Sequence, residues 1–290
     1  DGTKIKANAS RHSALSHGHI DQLEVQLTAE VKSLLAQAEQ ADQSAVPDGM
    51  DLPAEIARRQ ARLDAMAAAK AKIDARAKVR FEKEQAEFEA RVARREQKAR
   101  ESGKPPGGKP PKPPVAGPKA QDQINLTDEA SRIMPVAGGG FDQAYNAQAA
   151  VDTASLLVVA PAVTQAANDK EQVVPMLAQL AALPDALGQV EQLLADTGFY
   201  SAKNVQACQA QGIDPFIAVK RDEHHPAPHE RFTEPAALPA DATPAQAMAH
   251  KLKTQSGRAL YALRKQTVEP VFGIIKSVMG FRQFSLRGLK

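Results

Sequence analysis

The sequence predicts a mixed α/β fold, a sheet flanked by helices and interrupted near its start by a long inserted α-helical hairpin. Three observations predict it. Residues 20–101 repeat apolar side chains at threes and fours, residues 141–217 alternate short apolar runs with helical stretches, and a proline- and lysine-rich segment separates the two. At 290 residues the chain is long enough for one large domain or two ordinary ones.

Residues 1–19 hold the first strand. After Asp1-Gly2 the run Lys4, Ile5, Lys6, Ala7 alternates polar and apolar, as a strand or strand end does. From Ile20 the period changes, and Leu23, Leu27, Val31, Leu34, Ala38 and Ala41 form one helical stripe. The stretch VPDGMDLPAE makes a turn. A longer helix follows from Pro53, its stripe marked by Ile56, Leu63, Met66, Ile73, Phe81, Phe88 and Val92. Residues 20–101 thus read as an antiparallel, coiled-coil-like hairpin that packs on itself or on a second copy.

Residues 102–123 read as an extended linker that buries no core, a spacer. Residues 124–220 read as the core. FDQAYNAQAAVD and LLVVAPAV are strands, the second nearly all apolar and so expected to be central. AANDKEQVVPMLAQLAAL is a helix with Asp169 as N-cap and Gln172 closing a capping box. QVEQLLAD is a strand, SAKNVQACQAQG a helix closed by Gly212, and DPFIAVK a further strand. Residues 221–256 are expected to be a polar insertion loop, and residues 257–290 a C-terminal helix with a basic face, kinked or restarted at Pro270.

Net charge is only +3, but its distribution is uneven. Residues 1–119 carry 22 Lys/Arg against 17 Asp/Glu, and residues 251–290 carry nine basic residues against one acid, Glu269. That asymmetry fits nucleic acid as well as it fits a solvated helix face. The single Cys208 excludes an internal disulfide and suits a reducing, cytoplasmic setting, as a buried thiol rather than a nucleophile. No apolar run reaches the ~20 residues of a membrane span.

Three carboxylates are candidates for chemistry. Asp196 follows the strand EQLL, at the carboxyl end where α/β sheets bind ligands; a turn aspartate is the other reading, although Ser201 is better placed to cap the next helix. Glu269 shares a helix face with Lys265 and, if the helix passes Pro270, with Lys276, which suits a ligand for a hard cation or an ordinary surface charge pair. Asp1 precedes the first strand. Carboxylates on three elements can hold two divalent ions for in-line attack on a phosphodiester, although spacing alone does not show that they converge. His224, His225 and His229 lie in a proline-rich stretch without cysteine, a weak case for structural zinc, and Gly138 to Gly140 lack the surroundings of a phosphate loop.

The words DGTKIKANAS (1–10), YNAQAAVD (145–152), ANDK (167–170), LLADTGFYS (193–201) and YALRKQTVEPVFGIIKSVMGFRQF (261–284) resemble, in order, those of bacterial insertion-sequence transposases of the DDE class. The resemblance implies an RNase H-like mixed sheet and DNA transposition, a form of DNA recombination. It implies metal-dependent phosphodiester hydrolysis and strand transfer at element ends, with Mg²⁺ in a two-ion site and Mn²⁺ as substitute. Its partners would be double-stranded DNA and further copies of the chain, as a homo-oligomer, with no membrane. Carried over by position, Asp1, Asp196 and Glu269 would be the catalytic and metal-holding triad. Tyr261, Arg264 and Lys276 would contact DNA phosphates. Tyr261 and Arg264 stand one position further from Glu269 than the family's common signature, which makes Lys265 an alternative to Arg264.

The chain opens on Asp1 and stops on RQFSLRGLK, and is expected to be a fragment whose first catalytic strand region is truncated. The competing expectation is therefore a truncated, catalytically inactive remnant that binds DNA and self-associates.

Overall fold

A computed structural model describes residues 1–40, 50–105, 107–136, 138–220 and 233–289. In chain order the elements are β1 (Gly2–Lys6), β2 (Ala14–Ser16), α1 (His17–Gln40), α2 (Leu52–Ser102), β3 (Gln123–Asn125), β4 (Arg132–Pro135), β5 (Phe141–Val151), β6 (Val158–Thr164), α3 (Val173–Ala181), β7 (Gln192–Ala195), α4 (Ala202–Ala210), β8 (Asp214–Ile217), α5 (Pro244–Lys253) and α6 (Gln255–Gly273), which passes into a π-helical turn at Ile274–Val278. They form two compact units, one of Asp1–Ala9 with Ala130–Lys290, the other of Ser10–Glu129. The fold is mixed α/β.

In the first unit β5 is the organising strand. β1 runs antiparallel along one edge, from Gly2 opposite Gln148 to Lys6 opposite Ala144. Its other edge is shared, with β4 facing residues 141–144 and β6 facing residues 146–151, both antiparallel. Gly138, Gly139 and Gly140 precede β5 with φ of 90°, 91° and 83°, a left-handed run that glycine alone adopts cheaply. β7 and β8 form a separate parallel pair.

The apolar strand β6 is not central, contrary to the sequence reading. It pairs with β5 alone, and Val158 and Val163 are exposed. The centre goes instead to β5, whose longer run lets three strands pair with it, even though its buried face carries Asn146 and Gln148.

Behind β7 and β8 a core gathers Val173 and Leu177 of α3, Val205 and Cys208 of α4, Ile217 of β8 and Met248 of α5. That contact explains a second difference: the span 221–256, read as a loop, contains the helix α5. Pro244 occupies its first turn, Thr243 and Gln246 close a full capping box, and Met248 supplies the apolar anchor. Residues 221–232, with His224, His225 and His229, lie outside the described residues.

In the second unit α1 lies antiparallel to α2, tied by Arg59 to Glu30 (2.8 Å) and by Lys70 to Asp21 (2.7 Å) and Glu24 (3.0 Å). Leu27 and Ile20 meet Met66, Ala69 and Ile73, and Leu15 and Ile124 of the β2–β3 pair complete the cluster. α2 has 51 residues against 24 in α1, so roughly half its length extends past its partner. The segment read as a spacer does not hang free: it folds back along that extension. Arg95 donates to the carbonyls of Gly107 (3.0 Å) and Gly108 (2.8 Å). Arg80 pairs with Asp122 (2.8 Å) and donates to Gly117 O (3.2 Å). Sequence composition showed that this stretch has no core of its own; it did not show that two arginines on α2 would hold it.

Candidate active site

The candidate site lies within the first unit, and each carboxylate is placed by its element. Asp1 immediately precedes β1, and its backbone nitrogen donates to Ala149 O of β5 (2.8 Å). Asp196 immediately follows β7, and its carboxylate accepts from Gly198 N–H (2.7 Å), capping a 3₁₀ turn. Ser201 takes the cap of α4, accepting from Asn204 N–H (3.1 Å).

Glu269 sits late on α6, its side chain 54% exposed. The cation that meets it is Arg264, which donates to Glu269 Oε1 (3.2 Å) and to Asp1 Oδ2 (2.8 Å). One guanidinium therefore spans two of the three expected carboxylates, while its Nε is buried without a hydrogen-bond partner.

Of the predicted face, Lys265 stands one turn before Glu269 on the continuous α6, but Lys276 turns away. Lys265 is exposed. Lys276 reaches back to β1 and donates to Thr3 Oγ1. The reason is local: α6 continues through Pro270, which supplies no N–H, and after Gly273 it widens into the π turn. A wider turn shifts the phase of everything beyond it. Burial lowers the Lys276 ammonium, and the nearby charges of Arg282 and Lys4 push the same way. Tyr261, half-buried, donates to Ala195 O (3.2 Å), tying α6 to the residue before Asp196.

Asp169 was not expected here. Read as a helix cap, it caps nothing: α3 begins at Val173 with Gln172 in the cap position and no side-chain bond there. Asp169 Oδ1 instead accepts from Asn146 (2.7 Å) and Gln148 (2.6 Å), and Lys4 Nζ stands 3.9 Å away. A Cβ built on Gly198 would lie 3.0 Å from Asp196 Oδ1 and 3.5 Å from Asp169 Oδ2, so the two carboxylates flank the same point. A Cβ on Gly2 would meet Gln148 at 2.2 Å and Asp169 at 2.5 Å, and a hydrogen is what lets β1 lie so close. The available signal was Asn146 and Gln148, two polar residues two apart on one face of an otherwise apolar strand.

A cavity of about 400 Å³ opens beside Asp1, with Gln148, Ala195, Arg264, Thr267 and Val268 among its walls. Acidic groups, a bridging arginine and an adjoining space thus come from β1, β5, β7 and α6.

A family profile, described as transposase DDE domain, matches residues 115–290, more than half of the chain. The chain belongs to the transposase DDE domain family. Membership carries transposase function in general, nuclease and transferase chemistry on DNA. The matched range of this DDE domain includes Asp169, Asp196, Tyr261, Arg264 and Glu269, and leaves out Asp1. No curated protein and no solved structure gives a match. Among the described residues no helix is long and apolar enough to cross a membrane.

Proposed function

We propose that the chain carries out metal-dependent phosphodiester hydrolysis and strand transfer at insertion-element ends, with Asp1, Asp196 and Glu269 as the catalytic carboxylates. The observation that carries this reading is the bridge from Arg264 to Asp1 and Glu269, since it draws together residues 268 positions apart, from the chain start and from α6. Antiparallel β1, β5 and β6 with a parallel β7–β8 pair support an RNase H-like core.

The donor set is all oxygen, which suits a hard divalent cation such as Mg²⁺, with Mn²⁺ as substitute. Among the described residues no three His, Cys, Asp or Glu side chains stand together closely enough to enclose an ion. The fit is therefore one of chemistry: Asp1 and Asp196 would hold the metal, with Glu269 kept beside Asp1 by Arg264. When bound, two such ions activate a water or 3′-hydroxyl and stabilise the leaving oxygen. The chain's own residues orient the site. Arg264 fixes the Asp1 carboxylate, and Tyr261 holds α6 against the end of β7. Arg264, Lys265 and Lys276 would supply donors for DNA phosphates, with Tyr261 joining them on release of its bond to Ala195 O, and element ends would be bound by an oligomer of the chain.

The test is nicking of supercoiled plasmid with Mg²⁺ or Mn²⁺ by the chain and its Asp196→Asn and Glu269→Gln variants. Nicking by the parent, lost in both variants while their circular dichroism is unchanged, is the expected result. A folded parent that does not cut, or variants that cut as well as the parent, would end the proposal.

A further inference from the structure

The far end of α2 and the segment folded back on it form a groove that no part of the proposed chemistry uses. Arg91, Arg94 and Lys98 line its helical wall, and Lys109, Pro105 and Pro111 its other wall. Charge separates sharply along this helix. Residues 82–89 hold four glutamates and one lysine, whereas residues 91–112 hold eight Lys/Arg and two glutamates. Both of those glutamates are engaged by their own helix, Glu96 with Arg100 (4.0 Å) and Glu101 accepting from Gln97 (2.8 Å). From Ser102 to Gln121 there is no acid.

The groove is built, not merely charged. Arg95 is half-buried and spends its guanidinium on the Gly107 and Gly108 carbonyls, which fixes the returning segment at a set distance from the helix. Prolines keep that segment extended. Arg91, Arg94, Lys98, Lys104, Lys109 and Lys112 remain exposed. A solvated helix face would mix the two signs, as residues 52–80 of α2 do with Glu55, Asp64 and Asp74 among their cations.

We infer that this groove is a second binding surface, for the sugar–phosphate backbone of duplex DNA, separate from the carboxylate site. Charge complementarity selects a polyanion, and family membership makes duplex DNA the polyanion of this chain. Residues 91–102 span about 16 Å of helix, which matches about five phosphates of one strand. Contacts of this kind read no sequence; they fix position and register on the duplex. The inference rests on the reading that the chain acts on DNA, but not on its having an assembled metal site.

The experiment is binding of the full chain to a duplex of arbitrary sequence across a range of salt concentrations. Two variants are compared: Arg91→Gln/Arg94→Gln/Lys98→Gln on the helix and Lys104→Gln/Lys109→Gln/Lys112→Gln on the returning segment. If each set contacts three phosphates, the slope of log K against log[salt] becomes shallower by about 3 in each variant. The linker variant alters no helix, so its result does not depend on α2 tolerating substitution. Plasmid nicking is measured in parallel, so failure of the catalytic proposal shows as lost cutting with the slope change intact. Slopes equal to the parent's in both variants overturn the inference, as does a parent that binds heparin with the same affinity and slope as DNA.

Discussion

Arg264 makes a quantitative prediction because it joins two chain segments through charges that are largely out of water. Its side chain is 13% exposed and that of Asp1 is 17%, so their 2.8 Å bond is nearly a buried one. Glu269, 54% exposed, adds little. In Arg264→Ala the Asp1 carboxylate keeps only the Gly2 N–H (2.7 Å) as a donor on its other oxygen. Breaking a buried ion pair costs about 3 to 5 kcal/mol, and the residual exposure places this one near 3 kcal/mol. Most of that should vanish when the partner charge is also removed. A double-mutant cycle with Asp1→Asn should therefore return a coupling of about 2 kcal/mol, the worth of a hydrogen bond between charged groups. The assay is urea unfolding followed by tyrosine fluorescence. There is no tryptophan, and Tyr145, Tyr200 and Tyr261 all lie in the first unit, so the signal reports the unit under test. Coupling below about 1 kcal/mol would refute the bridge as described, since a solvated pair gives about 0.2 to 1 kcal/mol.

Cys208 is fully buried in the α4 core, and desolvation pushes its thiol up to about 11. It should resist a thiol reagent at pH 8 until the chain unfolds; because the folded thiol holds its proton longer than the unfolded one, this contribution to stability is lost as pH rises above about 9 towards 11. Labelling at the rate of a free peptide thiol in native protein would contradict the burial. In the second unit, Ile73→Ala empties a position 1% exposed between Met66, Ile20 and Ile124, and should lower stability by about 3 kcal/mol in the 222 nm unfolding transition. A loss under about 1 kcal/mol would mean that the α1–α2 contact is looser than described.

What the sequence made legible was local. The strands at 141–151 and 192–195 and the helix closed by Gly212 lie where alternation, periodicity and a left-handed glycine put them. Its misreadings were choices between a local and a distant partner. Asp169 matched a capping box by spacing, yet two amides from β5 offered its carboxylate better bonds. The helix α5 hid in a proline-rich stretch because its stabilising contact, Met248, is with elements far back in the chain. For the candidate site, Asp196 and Glu269 could be picked out by position, but nothing in the spacing showed that Arg264 rather than Lys265 or Lys276 would meet Glu269. For Lys276 the outcome depends on a π turn after Gly273, which is a matter of backbone phase.

The small β2–β3 pair has a consequence for how the larger sheet assembles. β1 must find a partner on β5 about 140 residues further on, with the whole second unit in between. Pairing Ala14 with Asn125 and Ser16 with Gln123 pins the two ends of that intervening chain together. Once it forms, the segment separating Lys6 from Ala144 shrinks about five-fold in effective length, which removes about 1.4 kcal/mol of closure entropy. A three-residue ladder thus acts as a buckle, making a distant strand pairing nearly a local one.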